Sequence, residues 1–185
     1  MKLDKQTLGD LIDEKLPRSQ VRAIQSAHKD ADRFDKYVKI LQECVPWDDP
    51  IVLPFGEHLY IVLKRARTPG KATDGQGPSG ASYSGPSGAS YSVMCDCGHE
   101  FCPYDQNWKL EALIYVRETE QDLREIYPEM MSGDPKWNGL REYFCPGCKT
   151  LLEVEAVPPG YPVIHDFVPD LEGFYNEWLG RELPT

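Results

Sequence analysis

Two short cysteine clusters constrain this chain more than any other feature. The first is the run Cys95-Asp-Cys-Gly-His-Glu-Phe-Cys102 and the second is Cys145-Pro-Gly-Cys148, and together they hold five of the six cysteines. In the second cluster Pro146 fixes one backbone angle of a turn, and Gly147 relaxes the steric limit on the next. Two thiol pairs on tight turns are what a tetrahedral Zn²⁺ site needs. The pattern therefore predicts a bound metal.

The sequence favours one ligand set and leaves alternatives open. We predict that four thiolates hold the metal: Cys95, Cys97, Cys145 and Cys148. His99 or Cys102 could replace one of them, because Cys97 and Cys102 also form a Cys-x4-Cys pair. A disulfide is a further alternative, and iron at four sulfurs would give a redox site. A closed four-sulfur zinc site has no open position for water, so its predicted role is structural.

Charge and hydropathy exclude several classes of protein. Thirty acidic and twenty basic residues among 185 give a net charge of −10, which disfavours nucleic-acid binding, since phosphate contacts need clustered positive charge. No apolar run has the length of a membrane span. The polar start Met1-Lys-Leu-Asp-Lys5 lacks the apolar region of a signal peptide. We expect a cytoplasmic protein, where paired cysteines more often hold metal than form disulfides.

Hydrophobic periodicity predicts an α+β fold. Residues 1–50 form an N-terminal helical section of three helices, with Ser19 and Asp30 as caps of the second and third and Cys44 as a buried thiol. A β-rich metal-binding domain, of zinc-ribbon type, takes residues 51–67 and 93–157. Its strands are predicted at 51–53, 58–64, 110–117 and 151–157. A helix capped by Thr119 and Asp122 lies in the excursion between the two cysteine clusters. Its predicted apolar face consists of Leu123, Ile126, Tyr127, Met130 and Met131.

A repeat and a tail complete the organisation. The octapeptide at 77–84 recurs unchanged at 85–92, so residues 68–92 are predicted to be a flexible Gly/Ser/Pro insertion. Residues 158–185 are predicted to be an extended arm that ends in a short aromatic helix. That helix could anchor in a partner's groove or pack back on its own domain.

Catalytic equipment is missing from the sequence. It has no phosphate loop, no dinucleotide fingerprint and no nucleophile elbow. His165 and Asp166 are a weak candidate for an acid–base pair, because adjacent side chains of an extended segment point apart and no nucleophile accompanies them. We predict no catalytic residue in this chain.

Eight runs of residues resemble a known family. They span nearly the whole chain apart from the repeat: Tyr37–Glu43, Val45–Asp49, Cys95–Cys102, Asn107–Leu110, Glu125–Pro128, Arg141–Cys148, Tyr161–Phe167 and Glu172–Gly180. On these runs the chain closely resembles the gamma subunits of acetone carboxylases. The repeat-bearing stretch looks like an insertion relative to that family.

The resemblance implies a function. It implies an ATP-dependent conversion of acetone and bicarbonate to acetoacetate by an assembly of alpha, beta and gamma chains, two of each. The large alpha and beta subunits would hold ATP, Mn²⁺ and the substrate sites. The gamma chain would carry zinc on Cys95, Cys97, Cys145 and Cys148. The equivalent subunit of an aromatic-ketone carboxylase, of the acetophenone type, is an alternative, as is a free-standing rubredoxin-like or zinc-ribbon protein.

Overall fold

A computed structural model describes residues 3–27, 30–64, 90–128 and 131–185. These residues form helices and two antiparallel sheets, so the predicted α+β class is confirmed. None of the described helices is both long and apolar enough to cross a membrane.

Three helices open the chain, as predicted. They are α1 (Lys5–Ile12), α2 (Arg18–Ser26) and α3 (Arg33–Cys44). Each helix contributes one buried aliphatic residue to a core of its own, and Leu3 completes this core; the helical residues are Leu8, Ile24 and Ile40.

The predicted details at the helix ends differ from the structure. Pro17 precedes α2 in place of a Ser19 cap, and α3 begins after Asp32. Asp30 instead accepts the Leu3 backbone N–H at 2.8 Å and pairs with Lys36. The predicted buried thiol of Cys44 is wrong, because this residue ends α3 exposed to solvent.

The first sheet has four strands in sequential order. They are β1 (Ile51–Gly56), β2 (Leu59–Lys64), β3 (Ser90–Cys95) and β4 (Glu100–Pro103). The β1–β2 turn places His58 in the left-handed region, with φ of +61°, so β2 begins one residue later than predicted. Leu59 lies opposite Cys95 in the β2–β3 register.

Strand β3 overlaps the end of the repeat. The prediction of a flexible insertion as far as residue 92 is wrong for its last three residues, which lie in β3. Tyr91 explains the difference: it is buried, and its hydroxyl donates to the Pro184 carbonyl at 2.7 Å. The rest of the predicted insertion lies outside the described residues.

The second sheet has three strands in sequential order. They are β5 (Leu113–Arg117), β6 (Gly139–Phe144) and β7 (Leu151–Val157). A 3₁₀ turn at Trp108–Glu111 occupies the start of the predicted 110–117 strand. The predicted capping box of Thr119 and Asp122 is confirmed at the start of α4 (Glu120–Arg124). This helix ends at Arg124, so Ile126 and Tyr127 of the predicted apolar face lie beyond it.

The C-terminal arm packs on its own chain. Arg141 of β6 donates to the carbonyls of Tyr161 and Pro162, and Asn107 donates to that of Val163. The arm ends in a helical turn, α5 (Leu171–Gly173), that continues as a π-helical turn over Phe174–Trp178. Tyr175 is buried there, and its hydroxyl donates to the Val52 carbonyl at 2.8 Å. The end of the arm therefore lies against the first sheet.

Candidate metal centre

Each cysteine pair lies in a tight turn between two strands, which we call a knuckle. The first knuckle, residues 95–98, lies between β3 and β4. Cys95 ends β3, its N–H donates to the His99 carbonyl at 2.9 Å, and its carbonyl accepts from Gly98 N–H at 2.8 Å. Gly98 has φ of +88°, a conformation that costs a side-chain-bearing residue free energy. The chain therefore reverses within a few residues, and Cys97 lies in the reversal.

Trp47 holds this knuckle from outside. Its indole Nε1–H donates to the carbonyls of Cys95 and Asp96 at 3.2 and 3.0 Å. A Cβ on Gly98 would lie 3.1 Å from the Trp47 ring. No feature of the sequence indicated this contact, because no local pattern relates residues so distant in the chain.

The second knuckle, residues 145–148, lies between β6 and β7 and has a similar pattern of backbone hydrogen bonds. Cys145 N–H donates to the Thr150 carbonyl at 2.9 Å, and the Cys145 carbonyl accepts from Lys149 N–H at 2.9 Å. Lys149 takes the left-handed conformation, with φ of +65°. A Cβ on Gly147 would lie 3.2 Å from Cys97 Sγ. The two knuckles are therefore in close contact, and glycine makes that approach possible.

The four predicted ligands converge. All four Sγ atoms lie within 4.8 Å of one another. The Cys95–Cys148 and Cys97–Cys145 sulfur pairs are each 3.7 Å apart. A tetrahedral site with Zn–S bonds of about 2.3 Å has sulfurs about 3.8 Å apart, so the arrangement fits zinc. All six cysteines are free, so no disulfide is formed among them.

The four thiols differ in environment. Cys95 and Cys145 are fully buried, whereas Cys97 and Cys148 are exposed. Burial raises the pKa of Cys95 and of Cys97. The Thr150 hydroxyl, 3.1 Å from Cys148 Sγ, lowers the pKa of Cys148 to about 6. A metal binds thiolates, and its approach is open on the side of the two exposed thiols.

The alternative metal ligands, His99 and Cys102, lie outside the four-sulfur cluster. The His99 ring packs edge-on against Phe101, with centroids 5.0 Å apart. Cys102 is buried, and its thiol lies 3.6 Å from the Gln106 carbonyl. Among the described residues, the group of four sulfurs contains neither side chain.

A buried lysine and three carboxylates form a second cluster of side chains, apart from the four thiols. Lys109, with a side chain 1% exposed, donates to Glu153 at 2.8 Å, to Glu155 at 2.5 Å and to Asp166. Burial alone would lower the pKa of Lys109, but the hydrogen bonds to Asp166 and the two glutamates outweigh burial and raise the pKa. This cluster attaches the C-terminal arm to β7. No feature of the sequence indicated that Lys109 would pair with these carboxylates, because the partners are 44 to 57 residues away in the chain.

The weak acid–base pair does not form. Asp166 accepts from Lys109, while Nε2 of His165 is buried with no hydrogen-bond partner among the described residues. His165 lines a small cavity of about 60 Å³ whose other walls include Phe55 and Trp108. Neither residue is paired in a way that would make it a general base.

Comparisons with known proteins decide the family. The family described as "Acetone carboxylase gamma subunit" matches residues 84–179, which include both knuckles. A gamma subunit of acetone carboxylase from Xanthobacter autotrophicus is 46% identical over 175 residues, covering 95% of this chain and 92% of that protein. The chain belongs to the acetone carboxylase gamma subunit family. The resemblance seen in the sequence runs is thereby confirmed.

A more distant relative is a subunit of another carboxylase. The acetophenone carboxylase beta subunit of Aromatoleum aromaticum is 29% identical over 83 residues, which are 42% of this chain and 61% of that protein. Both relatives are carboxylase subunits, so membership of this family implies partner subunits.

Proposed function

We propose that this chain is the zinc-binding structural subunit of an ATP-dependent acetone carboxylase, which converts acetone and bicarbonate to acetoacetate. Membership of the gamma-subunit family supports the carboxylase part of the proposal. The closed group of four thiols, held by two hairpins from two different sheets, carries the structural zinc role. With four protein ligands such a site binds no water or substrate, so the metal would stabilise the fold. The two knuckle-bearing hairpins would then form a zinc-ribbon-like unit.

The proposal assigns catalysis to the partners. ATP and Mn²⁺ would bind the alpha and beta subunits in a cytoplasmic assembly of two alpha, two beta and two gamma chains. Among the described residues of this chain, the charged groups of the second cluster are engaged with one another: Lys109 with Glu153, Glu155 and Asp166. That engagement supports a structural rather than a catalytic role for the cluster.

Native mass spectrometry of the gently purified protein tests the proposal. We expect a complex that contains two heavier partner chains and one zinc per gamma chain. A lone chain near 21.0 kDa that consumes ATP by itself would contradict it. A red, iron-loaded chain without partners would instead establish a rubredoxin-like carrier.

A second substrate class has one observation in its favour. The match to the acetophenone carboxylase beta subunit favours an aromatic ketone as the alternative substrate of the assembled enzyme. Assaying the assembled complex with acetone and with acetophenone separates the two. The higher identity and coverage of the acetone carboxylase relative favour acetone, and we expect turnover of acetone to exceed that of acetophenone.

A further inference from the structure

Strands β6 and β7 of the second sheet carry charged residues on their covered face. There Arg141 and the buried Tyr143 of β6 lie beside Glu153 and Glu155 of β7, and Lys109 and the C-terminal arm cover them. Ile114 and Val116 of the edge strand β5 lie on the same side and are 38% and 40% exposed. The opposite face is open to solvent and largely apolar, although sheets with one face in water normally place polar residues there. An exposed apolar patch of this kind is typical of an interaction surface.

The strand register defines this open face. Leu113, Phe144 and Leu151 lie opposite one another across the three strands, and Tyr115, Glu142 and Val154 form the next row. Directly opposed residues of antiparallel strands project to the same side. We define the open apolar face as Leu113, Tyr115, Leu151 and Val154, which are 44%, 44%, 42% and 48% exposed.

The other side chains of these rows are satisfied within the chain. Phe144 is partly buried. Glu142 accepts from Arg117 Nε at 2.8 Å. Arg117 also donates to the Asp122 carbonyl and to Glu125, so the region of α4 closes one end of the face. The Arg117 guanidinium also stacks on the Tyr115 ring, 4.7 Å from its centroid. The four residues of the open apolar face nevertheless stay at least 42% exposed.

We propose that the open apolar face docks onto a large subunit of the carboxylase, through a partner patch that is apolar at its centre and basic at its rim. This inference rests on the proposed function and names the surface that performs it. Apolar side chains on a rigid sheet lose little entropy on binding, and such a patch is suited to form the core of an interface.

Charge decides between a partner and a second copy of this chain. The segment 117–125 beside the face carries four acidic and two basic residues, and the whole chain has a net charge of −10. Two copies docked through this face would bring like charges together, which opposes association. A basic rim on the partner would be complementary.

Two valine substitutions test the face in the assembled complex. Val154→Lys places a charge in the face, and Val168→Lys is the matched control, since Val168 is 51% exposed on the C-terminal arm. The full-length variants would be co-expressed with tagged large subunits. We expect Val154→Lys to weaken retention of the gamma chain about tenfold or more, the loss expected when an interface core residue is disrupted, while Val168→Lys leaves retention unchanged. Zinc content and circular dichroism should match wild type in both variants.

The outcomes separate the two proposals. If the wild-type chain does not co-purify with large subunits at all, the proposed function fails. If wild type and Val154→Lys are retained equally, the docking face is wrong while the function stands. A purified wild-type chain that is a dimer, and that Val154→Lys converts to a monomer, would replace the partner with a second copy. Association that does not slow as ionic strength rises would overturn the basic rim.

Discussion

Cys148 is exposed, and its side chain contributes one corner of the four-sulfur cluster. We expect Cys148→Ser to bind zinc more weakly and to lose most of it during purification, because only three thiolates remain and water would have to fill the fourth position. Metal analysis of the purified chain by mass spectrometry measures this directly. Cys44→Ser is the matched control, since Cys44 is also exposed but lies outside the cluster. Full zinc content in Cys148→Ser would refute this ligand assignment, and zinc loss in Cys102→Ser would restore Cys102 as a ligand.

Lys109 makes a second prediction at the residue scale. Lys109→Met would leave Glu153, Glu155 and Asp166 close together without their cation. Since the carboxylates are only partly buried, we expect a loss of about 2–4 kcal/mol in the free energy of unfolding. Urea denaturation measures it, with the exposed Lys5→Met as the control. A loss equal to the control's would show that Lys109 does not hold the arm.

At the residue scale, the sequence predicts groups that lie together in one local turn better than contacts between residues distant in the chain. The Cys-x-x-Cys turn indicated its own ligands, because a tight turn brings two thiols together whatever the rest of the fold does. Trp47 and Lys109 carried no comparable signal. Trp47 is 48 residues from Cys95, and Lys109 is 44 from Glu153. Only the tertiary fold brings these partners together.

At the scale of elements, the β3–β4 turn depends on Gly98. We expect Gly98→Ala to destabilise the protein by about 2 kcal/mol, because the left-handed backbone is strained for alanine and the new Cβ would contact Trp47 at 3.1 Å. Gly160→Ala is the control: its φ is +75°, but a Cβ there would meet nothing within 4 Å. The difference between the two variants in urea denaturation isolates the Trp47 contact. An equal loss of unfolding free energy in both variants would show that the Trp47 ring moves aside without destabilising the protein.

Elements were predictable where local signals were strong. The capping box of Thr119 and Asp122 and the strand Leu151–Val157 were predicted with correct starts. The end of α4 was not, because the apolar spacing after Arg124 resembles a helix face but is exposed on irregular backbone. Strands β3, β4 and β6 were not predicted. At Ser90–Ser92 the Gly/Ser/Pro-rich composition concealed the buried Tyr91.

For the whole molecule, the four-thiol cluster is one of the contacts that link the two sheets. It joins the β3–β4 hairpin of the first sheet to the β6–β7 hairpin of the second. A shared core that includes Leu59, Phe101, Trp108 and Tyr143 also links the sheets, as does the C-terminal arm. The sequence predicted that the metal would clamp two turns. It could not predict that the turns belong to separate sheets, since no local sequence pattern determines which strands pair with each other.

Removing the metal tests this clamp. Structural zinc contributes about 10–16 kcal/mol in zinc-finger peptides, which is as large as the whole stability of a typical domain. A strong chelator should therefore open both knuckles together. Hydrogen exchange would report it, because the amides of Cys95 and Cys145 are bonded to the carbonyls of His99 and Thr150 only while the knuckles are formed. We expect both amides to lose protection at the same chelator concentration, and Cys148→Ser to show the same exchange without chelator. Loss of protection in one hairpin alone would mean that the sheets are held by their shared core and that the metal stabilises only a local turn.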